Sequence, residues 1–147
     1  MLRTLAPLAA ALLCAAAALA DEADKKPGLE GTYTITKGER GGKAIPEAEI
    51  KGTVVAFTRD KVTATDKDKK EFYAATYTLD TKSKPWKIIM TSTAPKKGDK
   101  AAGVIKTDGD MVTLCYALPG GKTPTGFKAG DKQQCFVLKR VKTNTGK

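Results

Sequence analysis

The sequence predicts an all-β protein, a single eight-stranded antiparallel up-and-down barrel with one short helix after the first strand. Between residues 29 and 142, short β-branched or aromatic stretches recur about every ten residues with turn residues between them, which is typical of an antiparallel meander. The same region lacks the apolar periodicity of a major helix. A meander of eight strands closes most naturally into a barrel, because closure removes the exposed sheet edges. A β-sandwich is the alternative.

Eight stretches carry the strand pattern, at residues 31–36, 52–58, 61–65, 71–79, 86–91, 101–106, 111–118 and 134–141. The dipeptide Asp108-Gly109 is a strong hairpin signal. Residues 46–50 predict the short helix, because Pro46 suits a first helical turn and Glu47 and Glu49 suit the positive end of the helix dipole.

The first twenty residues have the pattern of a secretory signal peptide. Arg3 precedes an uncharged, Ala-rich run that ends in Ala18, Leu19 and Ala20, and the small residues Ala18 and Ala20, at positions −3 and −1, favour cleavage after Ala20. The run is weakly apolar for a membrane span, and an uncleaved anchor is the alternative. We therefore expect an exported protein, periplasmic or secreted, with no transmembrane segment after cleavage.

The remaining chain is predicted to contain one domain. Residues 21–28 are polar and contain Pro and Gly, which predicts a flexible leader, and residues 29–142 form the barrel, followed by a tail at 143–147. Cys14 follows Leu13, whereas a lipoprotein signal has a small residue there, so we do not expect lipidation.

Composition excludes several functional classes. The 147 residues include no His, so the commonest general base and the commonest zinc ligand are missing. We expect no enzymatic activity, no metal and no cofactor. The 26 Lys and Arg residues outnumber the 16 Asp and Glu residues and give a formal net charge of +10. Scattered Lys favours solubility and weak attraction to anionic polymers or lipid headgroups, without specific nucleic-acid binding.

Cys115 and Cys135 predict a disulfide. They lie on the seventh and eighth stretches, equally far from residue 125, so symmetric hairpin pairing places them opposite each other. An exported protein passes through an oxidising compartment. Two buried thiols are the alternative.

Alternation along the strands predicts an apolar barrel interior. An eight-stranded barrel is at the size limit at which side chains either fill the interior or leave room for one small ligand. A ligand site requires a cavity of at least ~300 Å³, and a fully packed core is the alternative. The predicted cavity-lining residues are Val55, Phe57, Tyr73, Tyr77, Trp86, Ile88, Met90, Leu114 and Tyr116.

Several motifs resemble those of a known family. They are LEGTY at 29–33, GKAIP at 42–46, DGDMVTLCY at 108–116 and VLKR at 137–140. In order and spacing they are similar to an uncharacterised lipocalin-like domain family that is abundant in planctomycetes, which usually has Trp at the position of Tyr33. The resemblance implies a lipocalin-type barrel and attaches no activity to it.

The wider lipocalin pattern implies structural roles for three residues. An aromatic residue two positions after a Gly in the first strand packs under an Arg from the last strand, which closes one end of the barrel. Gly31, Tyr33 and Arg140 fit these roles, and the Tyr33 hydroxyl would need a partner. The alternative for Arg140 is a solvated terminal charge.

These observations favour a lipocalin-like binder of a small apolar or amphipathic ligand. The alternative is a structural or interaction module of the cell envelope with a basic surface for anionic partners. An enzyme would need a carboxylate or a Tyr in a perturbed environment at the barrel mouth. The sequence does not indicate the oligomeric state.

Overall fold

The structure is a computed structural model that describes residues 28–142. The predicted signal peptide, the tail at 143–147 and all of the predicted leader except residue 28 lie outside the described residues. The elements are β1 (Gly31–Arg40), β2 (Lys43–Ala44), α1 (Glu47–Ile50), β3 (Val54–Phe57), β4 (Lys61–Thr65), β5 (Glu71–Asp80), β6 (Trp86–Ala94), β7 (Lys100–Asp108), β8 (Met111–Ala117) and β9 (Gln133–Arg140).

Eight of these strands form a closed barrel. From β3 onward each strand pairs antiparallel with the next, β1 pairs with β3, and β9 returns to pair with β1. The predicted up-and-down barrel is therefore confirmed, and the sandwich alternative is wrong. The two-residue strand β2 pairs only with the end of β1. The sequence analysis missed it because two residues carry no alternation pattern.

The predicted helix after the first strand is also confirmed, and it begins one residue later than expected. Pro46 has an extended backbone, with φ −54° and ψ 137°, and precedes α1 as its N-cap residue. The helix has four residues, and its Ile50 side chain is buried.

The core lies inside the barrel. Buried apolar side chains alternate with exposed polar ones along the strands, as the pleat of a half-buried sheet requires. The largest fully buried side chains include Tyr33, Leu29, Ile88, Met90, Ile105 and Leu138. The outer face carries Thr and Lys over much of its area.

A second, smaller cluster lies on the outer face of the wall and contains the disulfide. Cys115 pairs directly with Cys135 between β8 and β9, and the two form a disulfide bond, which confirms the predicted pairing. The connection from 118 to 132 folds back over this bond and covers it with Ala129 and Phe127.

Candidate functional site

One end of the barrel is closed by Arg140, the last residue of β9. Its guanidinium donates hydrogen bonds to the carbonyl oxygens of Gly28 (2.6 Å) and Glu30 (2.7 Å) and to the Tyr33 hydroxyl (2.7 Å). It also lies 4.9 Å from the centroid of the Tyr33 ring. Tyr33 in turn donates to the carbonyl oxygen of Leu29 at 2.8 Å. The last strand is thus tied to the chain that enters the first.

Gly31 makes room for this arrangement. Its φ of +148° is a backbone conformation that residues with a Cβ rarely adopt. A Cβ at this position would collide with the Arg140 guanidinium. Gly31, Tyr33 and Arg140 therefore form one contact group, arranged as the family resemblance implies. This group satisfies backbone carbonyls and leaves no space for a ligand.

The interior beside this group is filled by aromatic rings. Phe57 packs edge-on against both Tyr33 and Tyr77, with ring centroids 5.8 and 5.6 Å apart. Phe57, Tyr77 and Ile88 are at most 2% exposed. The expectation that these three side chains line a cavity is wrong, because together they fill the closed half of the barrel.

The other half of the barrel contains a cavity of about 280 Å³. Side chains from seven of the eight barrel strands contribute to its wall, β7 being the exception. The lining residues are Ile35, Thr53, Val55, Ala64, Phe72, Tyr73, Met90, Leu114, Tyr116, Gln134 and Phe136. Five of the nine predicted lining residues are among them: Val55, Tyr73, Met90, Leu114 and Tyr116. The volume is slightly below the ~300 Å³ expected of a ligand site.

Trp86 lies elsewhere. It borders a separate depression of about 250 Å³, together with Lys84, Pro85, Ile105 and other residues. The prediction that Trp86 lines the ligand cavity is therefore wrong. It is the first residue of β6, and the chain enters this strand at the end of the barrel opposite the cavity.

Polar groups gather on one side of the cavity. The Tyr116 hydroxyl lies 3.5 Å from Gln134 Oε1, and Gln134 is buried. Burial and the nearby Tyr73 raise the pKa of Tyr116 well above its usual range, and the Arg40 guanidinium partly offsets this rise. The otherwise apolar cavity therefore has one polar side that can donate hydrogen bonds to a ligand.

All four tyrosines of the chain project into the barrel interior. Burial raises the pKa of each of them, Tyr77 to about 12. A tyrosine that acts as a general base works best when its pKa lies near the operating pH. Here the shifts are in the opposite direction, so at neutral pH these hydroxyls stay protonated. The perturbed tyrosines at the cavity therefore favour binding over proton abstraction.

A larger depression, about 460 Å³, lies on the outer face of the wall. Its lining includes Ile45 and Ile50 from the connection after β1, Phe127 from the connection before β9, and Val137 of β9. Sequence reasoning missed this groove, since it depends on how two connections pack against the barrel. The connection at 118–132 is long for a hairpin loop, but its length does not show where it folds.

The described residues contain neither a cluster of metal-ligating side chains nor a membrane-spanning helix. Within residues 28–142, no three His, Cys, Asp or Glu side chains come together in a way that could hold a metal ion. In the same range, no helix is long and apolar enough to cross a bilayer.

Comparison with known proteins gave no match: neither a family model, nor a curated protein, nor a solved structure resembles this chain significantly.

Proposed function

We propose that this protein is a non-enzymatic binder that holds one small apolar or amphipathic molecule in the inner cavity. The observation that carries the proposal is the cavity of about 280 Å³ inside an otherwise packed barrel. Its wall is largely apolar, with few polar groups, which is the usual composition of a ligand pocket. Phe72 lines this cavity and is 51% exposed. An apolar molecule entering from solvent can therefore contact its ring before it reaches the interior.

The volume limits the size of the ligand. At about 30 Å³ per molecule of liquid water, the cavity corresponds to roughly nine waters. A ligand of this size has few non-hydrogen atoms and is smaller than the retinoid or haem class of molecule. Its binding free energy comes from transferring apolar surface out of water, at about 0.8 kcal/mol per buried CH₂.

We also propose that the protein is exported and belongs to the lipocalin-like family that its motifs resemble. The Cys115–Cys135 disulfide supports export, since such bonds persist in oxidising compartments. The contacts among Gly31, Tyr33 and Arg140 support the family resemblance. Edman sequencing of the protein recovered from an export host tests the first point, and we expect a mature N-terminus at Asp21.

Straight-chain 1-alkanols from butanol to decanol test the binding proposal. We expect affinity, measured by thermal shift and calorimetry, to rise about fourfold per added CH₂ and then to level off once the cavity is full. Native mass spectrometry of the protein from an export host should show a small adduct that organic solvent releases. The absence of both saturable alkanol binding and an adduct would favour the envelope-interaction alternative.

A cavity-filling variant locates the site. Ala64 lines the cavity, and Ala64→Phe should abolish alkanol binding while the protein still melts cooperatively. Ala56→Phe is the matched control, because Ala56 lies on the neighbouring strand β3 and pairs with Thr32 and Thr63 on the outer face. Unchanged alkanol binding by Ala64→Phe would place the binding site elsewhere and contradict the proposal.

A further inference from the structure

Three polar residues form a row across the open half of the barrel. Arg40 of β1 pairs with Gln134 of β9, and Gln134 pairs on its other side with Tyr116 of β8. Directly paired residues in an antiparallel sheet project from the same face. Since Gln134 and Tyr116 both line the cavity, Arg40 lies on the cavity side of β1, at the end of the strand.

Tyr73 extends this row across the cavity. It lines the same space from β5, and its proximity to Tyr116 contributes to the raised pKa of the Tyr116 hydroxyl. Tyr73, Tyr116 and Gln134 therefore line one side of an otherwise apolar cavity, and Arg40, at the end of β1, is near enough to Tyr116 for its guanidinium to lower the pKa of that hydroxyl. Except for the carboxamide oxygen, these groups all supply hydrogen-bond donors.

The charge of Arg40 is only loosely engaged. Its Nη1 lies 3.8 Å from Glu49 Oε2 of α1, and both side chains are 53% exposed. An ion pair of this length and exposure contributes little free energy. The guanidinium can therefore exchange Glu49 for a better placed anion at small cost.

We propose that the ligand is a small monocarboxylate, with its carboxylate held by Arg40 and the Tyr116 hydroxyl and its alkyl chain packed against Met90 and Leu114. One guanidinium matches one negative charge, which favours a monocarboxylate over a doubly charged phosphate ester. The inference rests on the proposed binding function and specifies the chemical class of its ligand. The Tyr73 hydroxyl and the Gln134 carboxamide complete the polar side of the site.

Octanoate and 1-octanol separate this inference from the binding function itself. The two compounds have the same number of carbons and differ in the carboxylate, which is ionised at neutral pH. We expect octanoate to bind roughly tenfold more tightly than 1-octanol, since charge-assisted hydrogen bonds are about twice as strong as neutral ones. Equal affinities would overturn the carboxylate assignment and leave the apolar binding function intact, whereas no binding of either compound would overturn both.

Matched variants test the role of Arg40. Arg40→Gln should remove most of the preference for octanoate over 1-octanol. Arg59→Gln, an equivalent change between β3 and β4 at the opposite end of the barrel, should preserve the preference. If Arg40→Gln and Arg59→Gln bind octanoate equally well, Arg40 does not hold the carboxylate and the proposal fails.

The partner of Arg40 supplies a variant with the opposite expected sign. Glu49→Gln removes the competing carboxylate, so octanoate should bind roughly twofold to fivefold more tightly, as expected from the loss of an exposed ion pair. Binding of 1-octanol should not change. Weaker octanoate binding by Glu49→Gln would contradict the proposed exchange of partners.

Discussion

At the scale of single residues, the closed end of the barrel depends on hydrogen bonds that link Arg140 to the chain entering β1. The guanidinium satisfies two carbonyl oxygens, those of Gly28 and Glu30, that precede the first strand. Arg140 is thus more than a solvated terminal charge, because its guanidinium is engaged by the chain that enters β1 and by the Tyr33 hydroxyl.

The Tyr33 hydroxyl can be tested without disturbing this packing. Tyr33→Phe keeps the ring and removes the donor to the Leu29 carbonyl oxygen, so the free energy of unfolding should fall by about 1–3 kcal/mol. Urea denaturation measures the loss. Tyr73→Phe is the matched control and should cost less, because its hydroxyl lies at the open cavity, where water can replace a lost partner. Equal losses for the two variants would contradict the role assigned to Tyr33.

The structural roles of single residues were only partly predictable from the sequence. The motif resemblance was enough to group Gly31, Tyr33 and Arg140. The partners of the Tyr33 hydroxyl were not predictable, because they depend on how the chain at Leu29 and the Arg140 side chain fold around it at the closed end. The side chains beside the cavity illustrate the same limit: alternation places Phe57 and Val55 on one face, but only the packed structure shows that Val55 alone borders the open space.

At the scale of elements, the strands were predictable because alternation and turn chemistry are local. The Asp108-Gly109 signal corresponds to the tight turn between β7 and β8, where Gly109 has φ +58°. The irregularity in β1 was not predictable. The pairing of β1 with β9 shifts between Ile35 and Lys37, and such a shift reflects the fit of two strands that are distant in sequence.

The β8–β9 hairpin gives a prediction at this scale. Its disulfide closes a loop with a sequence separation of 20 residues, which is worth about 3 kcal/mol in the chain-entropy model. The double variant Cys115→Ser/Cys135→Ser should therefore unfold at lower urea concentration, with a loss of about 3 kcal/mol, and should keep its β-type circular dichroism.

A reducing agent supplies the control for this hairpin. Reduction should destabilise the unaltered protein to a similar extent and leave the double Ser variant unaffected. Complete reduction could instead leave the unfolding free energy of the unaltered protein unchanged. That result would show that the 118–132 connection, which packs Ala129 and Phe127 over the bond, already fixes the hairpin without the disulfide.

At the scale of the whole molecule, the barrel is packed at one end and hollow at the other. Eight-stranded barrels lie at the boundary between these two outcomes, and this chain shows both within one interior. The sequence could not place the boundary, since the apolar alternation is the same at both ends. Interior volume depends on which rings meet across the barrel, as Phe57, Tyr33 and Tyr77 do at the closed end.

This asymmetry predicts different costs for the same substitution at the two ends. Phe57 is 2% exposed and packs against two rings, so Phe57→Ala should cost about 3–5 kcal/mol, as cavity creation in a packed core does. Phe136 is only partly buried and borders the existing cavity. Phe136→Ala should therefore cost no more than about 2 kcal/mol, while enlarging the space for longer alkanols.

Urea denaturation of the two variants measures the stability difference, and alkanol binding measures the change in capacity. For Phe136→Ala, the chain length at which affinity levels off should increase, because the removed ring adds volume to the cavity. For Phe57→Ala, the same chain length should be unchanged, since the new void lies in the closed half, away from the mouth. The two variants could instead lose the same free energy of unfolding and show the same dependence of affinity on alkanol chain length. That result would mean that the two halves of the interior are packed alike, and it would contradict a cavity confined to one half.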